Sequence, residues 1–343
     1  MLNPALEIED HAHTVSLVVA LGDYAAASIV INDSAIAMAR LCLLDALGRG
    51  FESLRDPECA SPIGPLVPGA LMPGGARVPG TSLELDPAQA AFCNGLLLCR
   101  KANPKLGQES GSARADDTLG AILAVTDYQA RKATMEGKTP PSVRDVLTAL
   151  VKTLQIQGVL APAGGYQPIG AATLRVLRTA AAALAAAQLG GTRGQIVTAL
   201  SYACIDGGMW IDADGPQGGT HGDWATADAL SRAVRHACQT MTASQSSYLT
   251  SAQLRVMDFA GKSLGAEPGT AKLRFGAGAP DRIACLYRPH DLAPVMARFQ
   301  AAVDRCFPAR QAERIKALFA APERLDELPV CELLAALVTN GAR

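Results

Sequence analysis

Apolar side chains recur at intervals of three and four residues through most of this chain, a spacing that places them on one face of an α-helix. Each run begins beside residues that can cap a helix by accepting hydrogen bonds from free backbone N–H groups. The predicted starts are Asp33 with Ser34, Asp86 with Pro87, Ser142 with Asp145, and Thr192 with Gln195. An alanine-rich run over 171–189 adds a helix by propensity. The pattern predicts a mainly α-helical protein.

Glycines and prolines mark the predicted ends of these helices. Gly48 and Gly50 predict the end of the helix that starts near Asp33, and Pro308 predicts a break near the carboxyl end. Strand-like alternation is scarce, and its best example is a β-hairpin over residues 271–287. We therefore expect a helical body with one small β insert.

Composition excludes several classes of partner. The 343 residues are 49% hydrophobic and carry 31 Lys and Arg against 32 Asp and Glu, so no positive field for nucleic acid is present. The longest uncharged apolar run, 179–189, is too short to span a bilayer. Acidic residues at 7, 9 and 10 do not fit a signal peptide. We expect a cytoplasmic protein without a nucleic-acid or membrane partner.

Nine cysteines are scattered without a CxxC pair or a histidine at ligand spacing, so reduced core thiols and no structural metal are expected. Charged residues make up only 18% of the chain, below the usual share of about 25%. A buried subunit interface explains such a surface, and we expect a homodimer.

Six segments together resemble the MmgE/PrpD family, and most closely its 2-methylcitrate dehydratases. They are Ala39–Gly48, Gly75–Thr81, Leu85–Phe92, Val143–Ala149, Ile156–Gly158 and Ile205–Gly207. The resemblance implies a helical domain built from both ends of the chain, with a smaller α+β lid inserted between them. Here it implies a helical domain of residues 1–255 plus 289–343, and residues 256–288 as a lid remnant reduced to the β-hairpin.

The same resemblance implies that the catalytic positions are substituted. Arg114 aligns with one histidine of the family's dehydratases and Leu154 aligns with a second. The lysine on the next helix aligns with Arg178, and the family's aspartate after the helix that begins at Pro87 is missing. Dehydration needs a base, an acid and cations that hold carboxylates, so we expect no working 2-methylcitrate dehydratase.

Charged residues over 101–117 supply new candidates for a site. Lys101, Lys105 and Arg114 can hold an anionic group, and Asp116 is a candidate catalytic acid or base. The alternatives are that these charges are simply solvated, and that Asp116 caps the helix that begins near Thr118.

A glycine-rich stretch further along carries the second group of candidates. His221 is the candidate acid or base because imidazole titrates near neutral pH, with Asp212 or Asp223 as a pairing carboxylate and Trp210 as an apolar wall. The alternative is an exposed loop histidine. His236 lies within a helical pattern and is interpreted as structural.

Two functions remain open. The first is a lyase, isomerase or cyclase that acts on a carboxylated or polyketide-like metabolite without metal or cofactor. The second is a catalytically inactive paralogue that binds a metabolite or a partner protein. Both predict a small, anionic ligand.

Overall fold

The computed structural model describes residues 17–99, 115–160, 171–206, 220–242 and 292–339, with only the backbone described at 115–116, 171–172 and 220–222. The amino-terminal helix α1 covers residues 17–26 of this part. The other helices are α2 (Asp33–Ser53), α3 (Pro57–Ala60), α4 (Pro87–Leu98), α5 (Leu119–Met135), α6 (Val143–Leu160), α7 (Ala171–Gln188), α8 (Arg193–Ile205), α9 (Thr220–Thr242), α10 (Leu292–Cys306), α11 (Ala309–Phe319), α12 (Pro322–Glu327) and α13 (Val330–Ala336). The predicted mainly α class is confirmed.

The predicted starts of α4, α6 and α8 are confirmed, whereas the cap predicted for α2 at Asp33 and Ser34 is wrong, because Asn32 caps that helix by accepting from the Ala35 N–H. The carboxylate of Asp86 accepts hydrogen bonds from the backbone N–H groups of Ala88 and Gln89, and Pro87 occupies the first position of α4. Thr192 and Gln195 form a reciprocal capping box at α8. Ser142 donates to Asp145 through its backbone N–H and its hydroxyl. Each cap satisfies backbone donors that the first helical turn leaves free.

The predicted end of α2 at Gly48 and Gly50 is wrong, because the helix continues to Ser53. A Cβ atom added at Gly48 would lie 3.2 Å from Cα of Phe299 on α10, and one at Gly50 would lie 2.9 Å from the Leu98 side chain. The two glycines therefore allow close helix packing and do not end the helix.

The described residues contain one two-stranded antiparallel sheet, formed by β1 (Ala76–Arg77) and β2 (Glu84–Leu85). It was not predicted, and the hairpin expected over 271–287 lies outside the described residues. The backbone N–H of Arg77 donates to Oδ2 of Asp127 on α5 at 2.8 Å, and the Arg77 guanidinium donates to the Cys331 carbonyl at 2.8 Å. These bonds join the sheet to α5 and to the carboxyl-terminal helices.

The carboxyl-terminal helices pack on the amino-terminal ones. Arg40 on α2 forms a bidentate pair with Asp326 on α12, with N–O distances of 3.0 and 2.8 Å. The N–H of Val330 donates to the Pro141 carbonyl at 3.0 Å. α10 lies along α2, where Phe299 meets Phe51. The proposed boundaries at 255 and 289 lie outside the described residues, so the domain division remains a prediction.

The eight described cysteines are free thiols, as the sequence predicts, and five of them are buried. Burial raises the pKa of Cys93 and Cys204 to about 11, which keeps these thiols protonated and unreactive at neutral pH. Among the described helices, we find none with both the length and the apolar character that crossing a membrane requires.

Candidate active site

Several helices end or begin around one end of α7, which makes this region the candidate site. A 3₁₀ turn at Ala115–Thr118 leads into α5 and packs against α4, α6 and α7. α9 packs against α4, α7 and α8. α6 ends at Leu160, α7 begins at Ala171, α8 ends at Ile205 and α9 begins at Thr220. Chain segments that join helix ends are where binding residues commonly lie.

A buried polar contact joins the 3₁₀ turn to α6. The hydroxyl oxygens of Thr118 and Thr153 lie 2.9 Å apart, and both residues are fully buried. On the same side of the turn, the Cys99 thiol donates to the Asp117 carbonyl at 3.2 Å. Leu154, the next residue on α6, is also buried and carries no group that can transfer a proton.

Arg178 places a buried cation on α7. The residue is 5% exposed, and its Nε donates to the Ala203 carbonyl at 2.6 Å. A second guanidinium nitrogen donates to the Asp206 carbonyl. These carbonyls belong to the last turn of α8, where helical carbonyls lack partners and the helix dipole favours positive charge. Burial lowers the pKa of Arg178, but a guanidinium remains charged at neutral pH.

Asp206, at the carboxyl end of α8, connects α8 to α9. One carboxylate oxygen lies 3.1 Å from a guanidinium nitrogen of Arg232, and the other lies 3.1 Å from Nε2 of His236. Arg232 is itself held by Asp228 at 2.8 Å. Burial opposes ionisation of Asp206, but the His236 hydrogen bond and the charges of Arg178 and Arg232 outweigh it and lower its pKa.

His236, which is partly buried, connects α9 to α8 through its side chain. Its ring stacks on Tyr202 of α8, with centroids 6.4 Å apart and an angle of 15° between the planes. Nε2 of the imidazole lies 3.1 Å from the Asp206 carboxylate, and this contact orients the ring. This pair was not predicted, because its partners lie 30 residues apart and no local pattern links them.

The predicted site residues lie largely beyond the described part. Lys101, Lys105, Arg114, Trp210 and Asp212 are outside the described residues.

Asp116 and His221 have described backbones, but their side chains are not described. Asp116 lies in the 3₁₀ turn, and the predicted cap of a helix beginning at Thr118 is wrong because Thr118 itself occupies the N-cap of α5. The loop reading of His221 is also wrong, since α9 begins at Thr220.

Trp224, near the start of α9, packs edge-on against Phe92 of α4 with ring centroids 5.0 Å apart. This contact fixes the first turns of α9 against α4, next to the candidate site. Within the ranges that the structure describes, no group of three or more His, Cys, Asp or Glu side chains is arranged to hold a metal ion.

Comparison with known proteins identifies the family. A sequence model of the MmgE/PrpD N-terminal domain matches residues 19–252, which is more than half of the chain. The chain belongs to the MmgE/PrpD family. This match includes α2 to α9 and α1 from residue 19, so the helices that form the candidate site belong to the family's amino-terminal domain.

The relatives of this MmgE/PrpD protein include named dehydratases. The 2-methylcitrate dehydratase of Escherichia coli (strain K12) is 39% identical over 228 residues, which cover 66% of this chain and 47% of the relative. That of Cupriavidus necator is 38% identical over 216 residues, 62% of this chain and 44% of the relative. The 2-methylcitrate dehydratase-like protein oryR of Aspergillus oryzae is 35% identical over 219 residues, which cover 62% of this chain and 44% of the relative. The match spans about half the length of these relatives.

Proposed function

We propose that this MmgE/PrpD protein is a repurposed enzyme, a cofactor-independent lyase, isomerase or cyclase of a carboxylated or polyketide-like metabolite. It does not act as a 2-methylcitrate dehydratase. The observation that carries this proposal is the presence of two residues, Leu154 on α6 and Arg178 on the neighbouring helix α7. Leu154 is buried where the resemblance aligns a family histidine, while Arg178 keeps a buried cation where it aligns a lysine.

The replacement of the aligned histidine by Leu154 removes a group that could transfer a proton in the dehydratase reaction. A base must take a proton from carbon and an acid must protonate the leaving hydroxyl, and a leucine side chain does neither. Arg178 supplies positive charge that favours a carboxylated ligand in the same region. The site thus retains a basis for anion binding while its proton-transfer chemistry has changed.

Asp116 and His221 are the proposed proton-transfer residues. Lys101, Lys105 and Arg114 would orient the anionic group, Trp210 would form an apolar wall, and Asp212 would pair with His221. The turn that contains Asp116 and the helix that begins beside His221 both pack on α7, which carries Arg178. This shared contact supports a common site.

A second candidate function is a catalytically inactive paralogue that binds a metabolite or a partner protein. The hydrogen bonds of Arg178 to the carbonyls of Ala203 and Asp206 favour it, because they give the cation a structural role at the end of α8. Such a protein would bind ligands and show no turnover.

The decisive experiment is an assay of the purified chain. With 2-methylcitrate and cis-aconitate we expect no turnover above background, because losing one acid–base group commonly costs about 10² to 10⁴ in rate. A mass-spectrometric screen of carboxylated and polyketide metabolites should reveal a converted substrate. Turnover of 2-methylcitrate within about 10² of an active relative would refute the proposal, and ligand binding without any conversion would favour the inactive paralogue.

The His221→Ala variant tests the assigned site once a substrate is found. We expect its turnover to be lost and its thermal unfolding to change little. His290→Ala, which changes a histidine assigned to no site, serves as the matched control. Full activity in the His221 variant would show that another residue transfers the proton.

A further inference from the structure

A groove of about 660 Å³ opens between the end of α1, the middle of α5, the first half of α6 and the end of α7. Its volume lies within the range of roughly 300–1,000 Å³ that is typical of small-molecule sites. Gln129, Thr148, Lys152 and Gln188 contribute polar side chains to the lining. No step of the proposed reaction uses this groove.

Lys152 at the groove precedes Leu154 by two residues on α6, but Thr118, Leu154 and Arg178 of the candidate active site do not line the groove. α7 runs from the active-site end toward the groove, and Gln188 follows Arg178 by ten residues on it. At 1.5 Å per residue this separates the two positions by about 15 Å along the helix axis. A small ligand in the groove therefore does not contact Arg178.

Lys152 is the buried charged residue in the lining of the groove. It is 7% exposed, and its Nζ donates to the carbonyls of Ala25 at 2.8 Å and Ala27 at 2.6 Å. Both partners are neutral, and no described carboxylate forms an ion pair with Lys152. The ammonium also lies 5.9 Å from the centroid of the Tyr24 ring, a weak cation–π contact, and the third of its N–H donors has no oxygen acceptor among the described residues. Burial lowers the pKa of Lys152, which a nearby negative charge would reverse.

The nearest acidic lining residue on α6 does not supply that charge. Asp145 precedes Lys152 by seven residues, about 10 Å along the helix, and its carboxylate accepts from the backbone N–H and hydroxyl of Ser142. The lining combines the apolar side chains of Ile29, Ala149, Leu184 and Ala187 with polar ones that include Thr126, Thr139 and Arg144. This arrangement suits a ligand with one anionic head and a hydrocarbon part.

We propose that the groove binds a small monocarboxylate, with its carboxylate against Nζ of Lys152 and its hydrocarbon part along the apolar side. A buried ammonium without a counter-charge gains most from an anion that enters its low-dielectric surroundings. The carboxylate accepts the third N–H of Lys152. The alanine and leucine side chains exclude water from the chain of the ligand. The site is separate from the proposed active site and does not depend on turnover.

Isothermal titration calorimetry on the full chain tests this proposal with hexanoate, its neutral analogue hexanamide, and inorganic phosphate as probes. We expect hexanoate to bind at least tenfold more tightly than hexanamide. Thr148→Trp fills the groove without changing charge and should abolish hexanoate binding. Lys152→Met should weaken binding at least tenfold, and Lys132→Met, at an exposed position on α5, should leave it unchanged.

Equal binding of hexanoate and hexanamide, no hexanoate binding, or unchanged binding in Thr148→Trp would overturn the proposal. Phosphate binding without hexanoate binding would show an inorganic-anion site and would overturn the carboxylate assignment. Lys152 also contacts the end of α1, so Lys152→Met can unfold the protein. The groove-filling variant and the charged and neutral probes then decide the question. These binding measurements need no turnover, so they stand whether or not the proposed reaction is found.

Discussion

Nε2 of His236 lies 3.1 Å from Oδ2 of Asp206, and this contact joins the middle of α9 to the carboxyl end of α8. Arg232 binds the other oxygen of the same carboxylate. The three side chains thus form a charged connection between the two helices beside the candidate active site. Its contribution to stability can be measured directly.

Asp206→Asn should lower the free energy of unfolding by about 1–3 kcal/mol at pH 7, because Arg232 and His236 lose a charged partner. The pKa of Asp206 is lowered in the folded protein, so its contribution is present above the unfolded pKa of about 4. The difference from wild type should shrink as the pH falls below that value. Urea unfolding at several pH values measures it.

Asp228→Asn is the matched control for this prediction, since Asp228 also binds Arg232 and its side chain is more exposed than that of Asp206. We expect a smaller loss of stability there. A loss for Asp206→Asn that is equal at pH 7 and pH 3 would contradict the electrostatic explanation.

Asp127 should show the opposite pH dependence. Burial raises its pKa to about 6, although the Arg77 backbone N–H and guanidinium favour the ionised form. The folded protein therefore holds the proton more tightly than the unfolded chain between about pH 4 and 6. Relative to Asp127→Asn, the wild type should gain about 2 kcal/mol of unfolding free energy as the pH falls from 7 to 4.

Chemical denaturation of the wild type and Asp127→Asn across this range measures that gain. Glu323→Gln, at an exposed position, should differ from the wild type by a small amount that is nearly constant with pH. A constant difference for Asp127→Asn as well would show that the carboxyl has an ordinary pKa.

Gly95→Ala should destabilise the protein by about 1–3 kcal/mol, because overpacking forces helices apart. A Cβ atom there would lie 2.8 Å from Cα of Ala227, where α4 crosses α9. Gly194→Ala on α8 is the control, since no atom lies within 4 Å of the added Cβ. That variant should gain up to about 1 kcal/mol from helix propensity. Thermal unfolding of both variants should show shifts of opposite sign.

We propose that the chain forms a homodimer through its helical domain, as its low content of charged residues indicates. Light scattering coupled to size-exclusion chromatography at micromolar concentration should give twice the 35.5 kDa mass of one chain. A monomer at that concentration would exclude this assembly.

The sequence by itself determined where the main helices begin. Caps such as Asp86 and Thr192 act on backbone groups within three residues, so near neighbours suffice to predict them. The helical spacing of apolar residues and the six family-like segments likewise indicated a mainly α protein of the MmgE/PrpD family. The family match then confirmed that assignment.

Tertiary structure decided what depends on distant partners. Gly48 is a predicted helix end by local rules, yet contact with Phe299 keeps it inside α2. The pairing of His236 with Asp206 and the placement of Lys152 against Ala25 join residues that are far apart in the chain. Short-range backbone hydrogen bonding determines a helix from its own sequence, whereas the geometry of a site depends on how separate helices pack together.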